Sequence, residues 1–316
     1  MSARAHILPV FVPHLGCPHA CVFCNQRRIS GAERPATAAD VKNCIAASAA
    51  FLPAGGKRQL AFYGGSFTAI PVREQEALLD AAKQALDRGE LDAIRLSTRP
   101  DAIDDTVLRR LGTYGVETVE LGAQSMDDAV LRLSGRGHTA AQTEAASRQI
   151  RAAGFRLILQ MMTGLPGSTD ESDLETARRL IALRPDGVRI YPTVIVRDTA
   201  LYDMWRAGTY REHTVEDAVR VCARIVPLFA AAGGAYHPAL GELVKSRILL
   251  EKARGLLRGV EPGSRVVLAV GKGRTSQMAG QHRENLRRLT EEFHLAEIKI
   301  REQGEADADL TLLPTS

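Results

Sequence analysis

Three of the five cysteines fall within eight residues, as Cys17-Pro-His-Ala-Cys21-Val-Phe-Cys24, a C-x3-C-x2-C spacing. Where thiols stay reduced, such clustering reads as a metal site rather than a disulfide set. A closed zinc site takes four ligands, and the cysteines supply three. His14 or His19 as a fourth would complete a Cys3His zinc site, an alternative the residues leave open. An iron–sulfur cluster takes one thiolate per iron. Three thiolates on a four-iron cluster leave one iron open, as a catalytic metal keeps a position for substrate or cofactor. Cys44 and Cys222 lie in apolar, helix-like runs and read as buried thiols.

Positioning such a loop needs a scaffold, and the chain has the length for one. Its 316 residues are 45% hydrophobic and 25% charged, ordinary globular composition that needs no crosslink merely to fold. No run approaches the ~18 apolar residues of a membrane span. The first residues lead into a strand-like run rather than a secretory signal, so a cytoplasmic location is expected. Six apolar, β-branched runs each end in polar or glycine-rich residues: Ile7–Val12, Gln59–Tyr63, Ala93–Leu96, Thr118–Leu121, Phe155–Met162 and Gly187–Tyr191. Helix-like stretches follow near 38–51, 72–88, 103–112, 140–153, 170–183 and 214–231. Ser172 or Asp170 is the expected N-cap of the fifth, and Gly115 and Gly154 stand where helices stop. Six strand–helix alternations predict an α/β fold with a parallel sheet and right-handed crossovers. A partial (β/α)6 barrel is expected, with the polar strand ends converging at the C-terminal edge. Arg258-Gly-Val-Glu-Pro-Gly263 reads as a linker, so domains are expected at 1–258 and 259–316, the latter a small α+β appendix. Within it Gln277–Phe293 is predicted as one helix.

These motifs resemble the radical S-adenosylmethionine (SAM) superfamily: the cysteine triplet with an aromatic residue before its last member, and Gly64-Gly65-Ser66 after the second strand. Within it the chain is most similar to the radical-SAM half of the Elongator catalytic subunit and its bacterial relatives. The resemblance is carried by Val119–Ser125, Gly135-Arg-Gly-His-Thr139, Met161–Ser168, Arg189-Ile-Tyr-Pro-Thr193 and Thr199–Tyr210. The chain is too short for that subunit's acetyltransferase domain, and its cysteine spacing is narrower. Oxygen-independent coproporphyrinogen oxidases are more distantly similar, at Gly64-Gly65, Gln124, Arg136 and Gly164-Leu-Pro166. Their acids are replaced here by Ser97 and Gln160, and their upstream tyrosine by Phe11.

The resemblance implies a radical SAM enzyme whose [4Fe-4S] cluster is held by Cys17, Cys21 and Cys24. It implies reductive cleavage of SAM to a 5′-deoxyadenosyl radical that acts on an unidentified substrate, with a one-electron donor such as flavodoxin or ferredoxin. Gly64, Gly65 and Ser66 would pass close to the methionyl group of SAM, since a side chain at the glycines would block contact. Ser97 and Thr98 would meet the ribose. Gln124 and Arg136 would meet the ribose or the carboxylate, which a guanidinium fork suits. Gly164 and Pro166 would flank the adenine. Glu120 is read as a pocket acid or an ion-pair member, Gln160 or Met161 as pocket lining, and Tyr191 as a substrate contact.

The net charge of +4 is unevenly spread. Residues 251–301 hold 11 Lys/Arg against 6 Asp/Glu, while 302–316 hold four acids and no base. The basic segment makes tRNA or another RNA a candidate partner, with a solvated helix face as the plainer reading. The competing function class is an RNA-binding module with a structural metal cluster.

Overall fold

The computed structural model describes residues 5–12, 17, 21–25, 31, 34–49, 56–232, 235–238, 241–305 and 308–313. His14 and His19, the candidate fourth zinc ligands, lie outside the described residues. The chain divides into two compact units, Met1–His213 with Leu228–Tyr236, and Thr214–Pro227 with His237–Ser316. Among the described residues no helix is long and apolar enough to cross a membrane.

The six expected strands all form, as β1 (Ala5–Phe11), β2 (Lys57–Tyr63), β3 (Ala93–Thr98), β4 (Val116–Gln124), β5 (Arg156–Thr163) and β6 (Gly187–Pro192). Neighbours pair in parallel, and the order across the sheet follows the chain without reversal. Right-handed crossovers then stack every helix on one face, which curls the sheet into a half-barrel instead of a doubly wound layer. A short strand, β7 (Ala235–Pro238), extends the same sheet. The sequence pattern does not announce it, because four residues ending in proline carry no periodicity.

Alternation along the strands separates two faces. Leu60, Phe62, Ile94, Leu96, Val119, Leu121, Leu157, Leu159 and Met161 have no exposure at all and pack under the helices. The other face carries Tyr63, Arg95, Glu120, Gln160 and Arg189, so it is polar and serves as the inner wall. Met161 is therefore core, and Gln160 is the member of that pair that faces inward.

Local chemistry sets the helix ends. Asp104, Thr139 and Thr169 cap their helices through side-chain oxygens, the last two with reciprocal capping boxes. Thr169 thus takes the N-cap expected of Asp170 or Ser172, and Ser172 closes its box. Gly115 and Gly154 stop their helices with φ of 71° and 84°, a left-handed turn that glycine adopts without strain.

The second unit holds a three-stranded sheet ordered β10-β8-β9, from β8 (Arg265–Val270), β9 (Glu297–Glu302) and β10 (Thr311–Leu313). Its core includes Leu249, Leu250, Ala253 and Leu257 beside Leu268, Met278 and Leu289. The helix Gly241–Leu257 supplies the first four, so this unit takes in residues well before the boundary expected at 258. The helix expected over Gln277–Phe293 is broken. Gly280 ends Thr275–Ala279, His282 and Arg283 adopt left-handed φ of 49° and 61°, and helix resumes at Glu284–Glu292. Asn285 secures the break by donating to Ser246 O, Ser246 Oγ and Met278 O.

The packed face carries the stability of the half-barrel. Phe62 is fully buried with its ring 4.7 Å from that of Phe67, and Phe62→Ala is expected to cost about 3–5 kcal/mol in denaturant unfolding. A loss below about 1 kcal/mol would contradict this packing.

Candidate active site

The cysteine loop is fastened over the C-terminal ends of the strands. Val22 donates to Ser134 O at 3.1 Å and accepts from Leu201 N at 2.7 Å. Phe23, the aromatic residue before the last cysteine, packs on Val130, Met162 and Leu165. Cys24 N donates to Cys21 O at 3.0 Å, turning the chain tightly between these two cysteines.

Two thiols meet a pair of guanidiniums. Arg136 donates from Nη1 to Cys21 Sγ at 3.3 Å and from Nη2 to Gly122 O at 2.7 Å. Arg99 pairs with Asp101 at 2.9 Å and donates to Arg136 O at 2.5 Å. Burial pushes the Cys17 thiol up, while the Ser66 backbone amide and the charges of Arg99 and Arg136 pull it down. Burial also works against the Asp101 charge, yet the Arg99 pair holds that carboxyl below its ordinary range. Among the described residues no three His, Cys, Asp or Glu side chains gather as ligands of one metal ion.

Arg99 Nη1 and Arg136 Nε are buried without a hydrogen-bond partner. Orphaned buried donors on charged groups are costly. Their position beside thiols suits an anionic group between them, such as a thiolate-ligated cluster or a carboxylate. That donor chemistry fits both a cluster and an amino-acid-bearing cofactor.

Backbone geometry opens the space. Gly64 turns the chain after β2 with φ of 93°, and Gly65 leads into Ser66. Gln124 is left-handed, with φ of 63°, at a bulge where β4 leaves register with β5. A non-glycine residue held there stores strain, as functional sites often do. Gln124 accepts from Gln160 at 3.4 Å. Gly122 is a contributor that sequence reading passed over. A Cβ there would lie 2.8 Å from Gln124 Nε2 and 3.2 Å from Arg136 Nη2.

Some expected contacts are occupied from within. Ser97 donates to Phe62 O at 3.3 Å. Thr98 is buried, and its hydroxyl is engaged by Ser66 at 3.0 Å and by Thr68 at 2.5 Å. Both hydroxyls tie the end of β3 to β2 and to the turn that follows it. His138 is buried and bonds Ala123 O; burial, then Arg136, lowers it to about 4, so it stays neutral. Cys222 is buried, as expected of a core thiol, while Cys44 is only half-buried.

The turn after β5 is clamped by residues the sequence did not single out. Gly164 donates to Asp173 Oδ2 at 3.0 Å and accepts from Tyr210 OH at 2.7 Å. Its φ is 72°, and a Cβ would strike the His213 ring at 2.1 Å. His213 also bonds Thr163 at 3.1 Å. Leu165 is buried beneath the bend that carries Pro166.

A family model described as the Radical SAM superfamily matches residues 11–180, more than half of the chain, and a Radical SAM C-terminal domain model matches 185–237. The chain belongs to the radical SAM superfamily. It is 32% identical over 174 residues to human Elongator complex protein 3, covering 49% of this chain and 32% of that protein. It is 26% identical over 224 residues to the tRNA uridine(34) acetyltransferase of Methanocaldococcus infernus, covering 60% of this chain and 42% of that protein. The chain thus spans less than half the length of these relatives. Among solved structures, the archaeal M. infernus Elp3 shares the fold with a TM-score of 0.58 at 23% identity, over 71% of this chain and 54% of that one. The Escherichia coli coproporphyrinogen III oxidase does so with 0.52 at 20% identity, over 73% and 53%. Radical SAM enzymes bind a [4Fe-4S] cluster and SAM. The buried donors around Cys17 and Cys21 are compatible with both.

The clamp on Gly164 has a pH signature. Burial raises Asp173 from 3.8 to about 7, and the Asp170 charge adds to this against the Gly164 amide. A carboxyl that keeps its proton longer folded than unfolded loses stability as pH rises through that window. Asp173→Asn keeps an acceptor for Gly164 N and cannot ionise. It should match wild type near pH 4 in thermal melts and exceed it by roughly 1–3 kcal/mol at pH 8. Parallel pH profiles for the two proteins would refute this.

Proposed function

We propose that this radical SAM enzyme holds its cluster through Cys17, Cys21 and Cys24 and binds SAM against the C-terminal edge of β2 to β5. The observation that carries the reading is the pair of buried, partnerless guanidinium nitrogens on Arg99 and Arg136 beside two of the three thiols. When bound, the cluster and SAM together supply a 5′-deoxyadenosyl radical that takes a hydrogen atom from substrate. Arg99 and Arg136 offset the negative charge of the thiolates, because a buried anion needs paired donors. Gly64 and Gly65 let the backbone approach the methionyl end. Gln124, held by Gln160, faces the same space, and the clamped Gly164–Pro166 bend borders the nucleoside. The inner wall borders the same space.

The alternative of an RNA-binding module draws less support. In the basic segment Lys252 pairs with Asp309, Arg254 with Glu251 and Glu292, and Arg287 and Arg288 with Glu284. These pairs suit a solvated helix face. RNA remains the substrate class suggested by the relatives' names, and a flavodoxin or ferredoxin would be the electron donor.

Anaerobically purified protein should be brown and hold about four irons and four sulfides per chain. Reduced protein with SAM should release 5′-deoxyadenosine, and Cys21→Ser should abolish that release. A colourless protein loaded with zinc, or full turnover by Cys21→Ser, would sink the assignment. Retention of tRNA should be weak and lost steeply with salt. Tight, salt-resistant retention without deoxyadenosine formation would favour the binding module.

A further inference from the structure

The inner wall holds a charge imbalance that the SAM site does not use. Glu120, 2% exposed, has Oε1 3.2 Å from Arg95 Nε and Oε2 3.2 Å from Arg189 Nε. Tyr63 OH donates to Glu120 Oε1 at 2.8 Å. Arg189 donates from Nη2 to Tyr63 OH at 2.8 Å and from Nη1 to Tyr191 OH at 3.1 Å. Its guanidinium carbon lies 5.1 Å from the centroid of the Tyr63 ring. These side chains come from β2, β3, β4 and β6 and share the face turned away from the helices.

Two cations therefore share one anion. Tyr63 is no second anion, since burial and then the Glu120 charge push its phenol well above the ordinary range. The other charged groups acting on Tyr63 are Arg189 and Arg95, which leaves a net charge of about +1 in this wall. A purely structural pair needs one guanidinium per carboxylate, and a second in a desolvated place is a cost. The wall is not sealed. The Arg189 side chain is 25% exposed and Tyr191 36% exposed. Of its five N–H donors, Arg189 uses two in hydrogen bonds to Tyr63 and Tyr191, while its Nε lies in ion-pair range of Glu120, which leaves at least two unused. On β1 the same face presents Ile7 and Phe11, both exposed.

We propose that this wall is an oxyanion-binding subsite in which Arg189, oriented by Tyr63 and Tyr191, receives a phosphate or carboxylate group of the substrate. Arg95 supplies the second charge, and the apolar strip on β1 receives the remainder of the molecule. The substrate class rests on the radical SAM reading, which puts the reacting centre at the strand ends above this wall. The anion binding itself needs neither cluster nor SAM.

The test is calorimetric titration of the anaerobically purified full chain with inorganic phosphate and, separately, with acetate at low ionic strength. One of the two should bind one-to-one, which distinguishes a phosphoryl from a carboxylate substrate. Arg189→Gln should weaken binding at least about tenfold. Glu120→Gln raises the local charge to about +2 and should tighten it. Tyr191→Phe alters an exposed position that should not affect folding, and it should weaken binding several-fold, so it decides the matter if Arg189→Gln does not fold. The inference is overturned if neither anion binds, or if binding survives Arg189→Gln and Tyr191→Phe undiminished. A chain that binds the anion through Arg189 but makes no deoxyadenosine would sink the radical SAM reading alone. A chain that cleaves SAM but binds neither anion would sink this inference alone.

Discussion

Burying guanidinium groups costs more than burying almost any other side chain, and this fold buries two at one edge. Arg99 and Arg136 are 3% and 7% exposed. Neither is held by a full set of carboxylates. Arg99 has Asp101 and a carbonyl; Arg136 has a thiol and a carbonyl. Such an arrangement is stable only where further negative charge is at hand. The Cys21 sulfur of the neighbouring loop meets Arg136, and Cys17 feels the charge of both guanidiniums. The guanidinium charges favour the ionised form of Cys17, against the burial that pushes its thiol up. The loop and the strand ends are thus coupled electrostatically as well as by the packing of Phe23.

The winding of the sheet decides where this coupling occurs. With strand order following the chain, all the helices lie on one side, and the apolar half of every strand is used there. The other half is left for polar groups. Gly122 shows how closely the two requirements are reconciled. It keeps β4 in the sheet while making room for Gln124 and Arg136, two side chains that share its space. A larger residue would force one of them away, although Gly122 is itself an unremarkable strand position.

Much of this was legible in the sequence, for identifiable reasons. The six strands of the half-barrel were visible because each is a run of apolar residues ended by a glycine or polar break. The cysteine triplet and Gly64-Gly65 were visible because their chemistry depends on residue type and spacing. Asp173, Tyr210 and His213 were not. They act on Gly164 from 9, 46 and 49 positions away, and no local pattern marks a residue whose partner is that distant. The partners of Ser97 and Thr98 were hidden for the complementary reason. A hydroxyl at a strand end looks available until its neighbours are known, and here Phe62, Ser66 and Thr68 have taken both. The break at Gly280 was missed because the turn depends on Asn285 reaching Ser246, 39 positions away.

Glu120 draws these strands together. From sequence it was equally a pocket acid or an ion-pair member. In the fold it is an ion-pair member with one partner too many. Its carboxylate is shared by Arg95, Arg189 and the Tyr63 hydroxyl, so both of its oxygens are already engaged. Its electrostatic effect is to hold Arg95 and Arg189 near each other, at a separation they would not keep alone. The cysteine edge and the inner wall therefore follow one rule. Each buries more positive charge than its own carboxylates balance, and each does so on the face from which the helices are excluded. A protein that needed only stability would have filled that face with leucine.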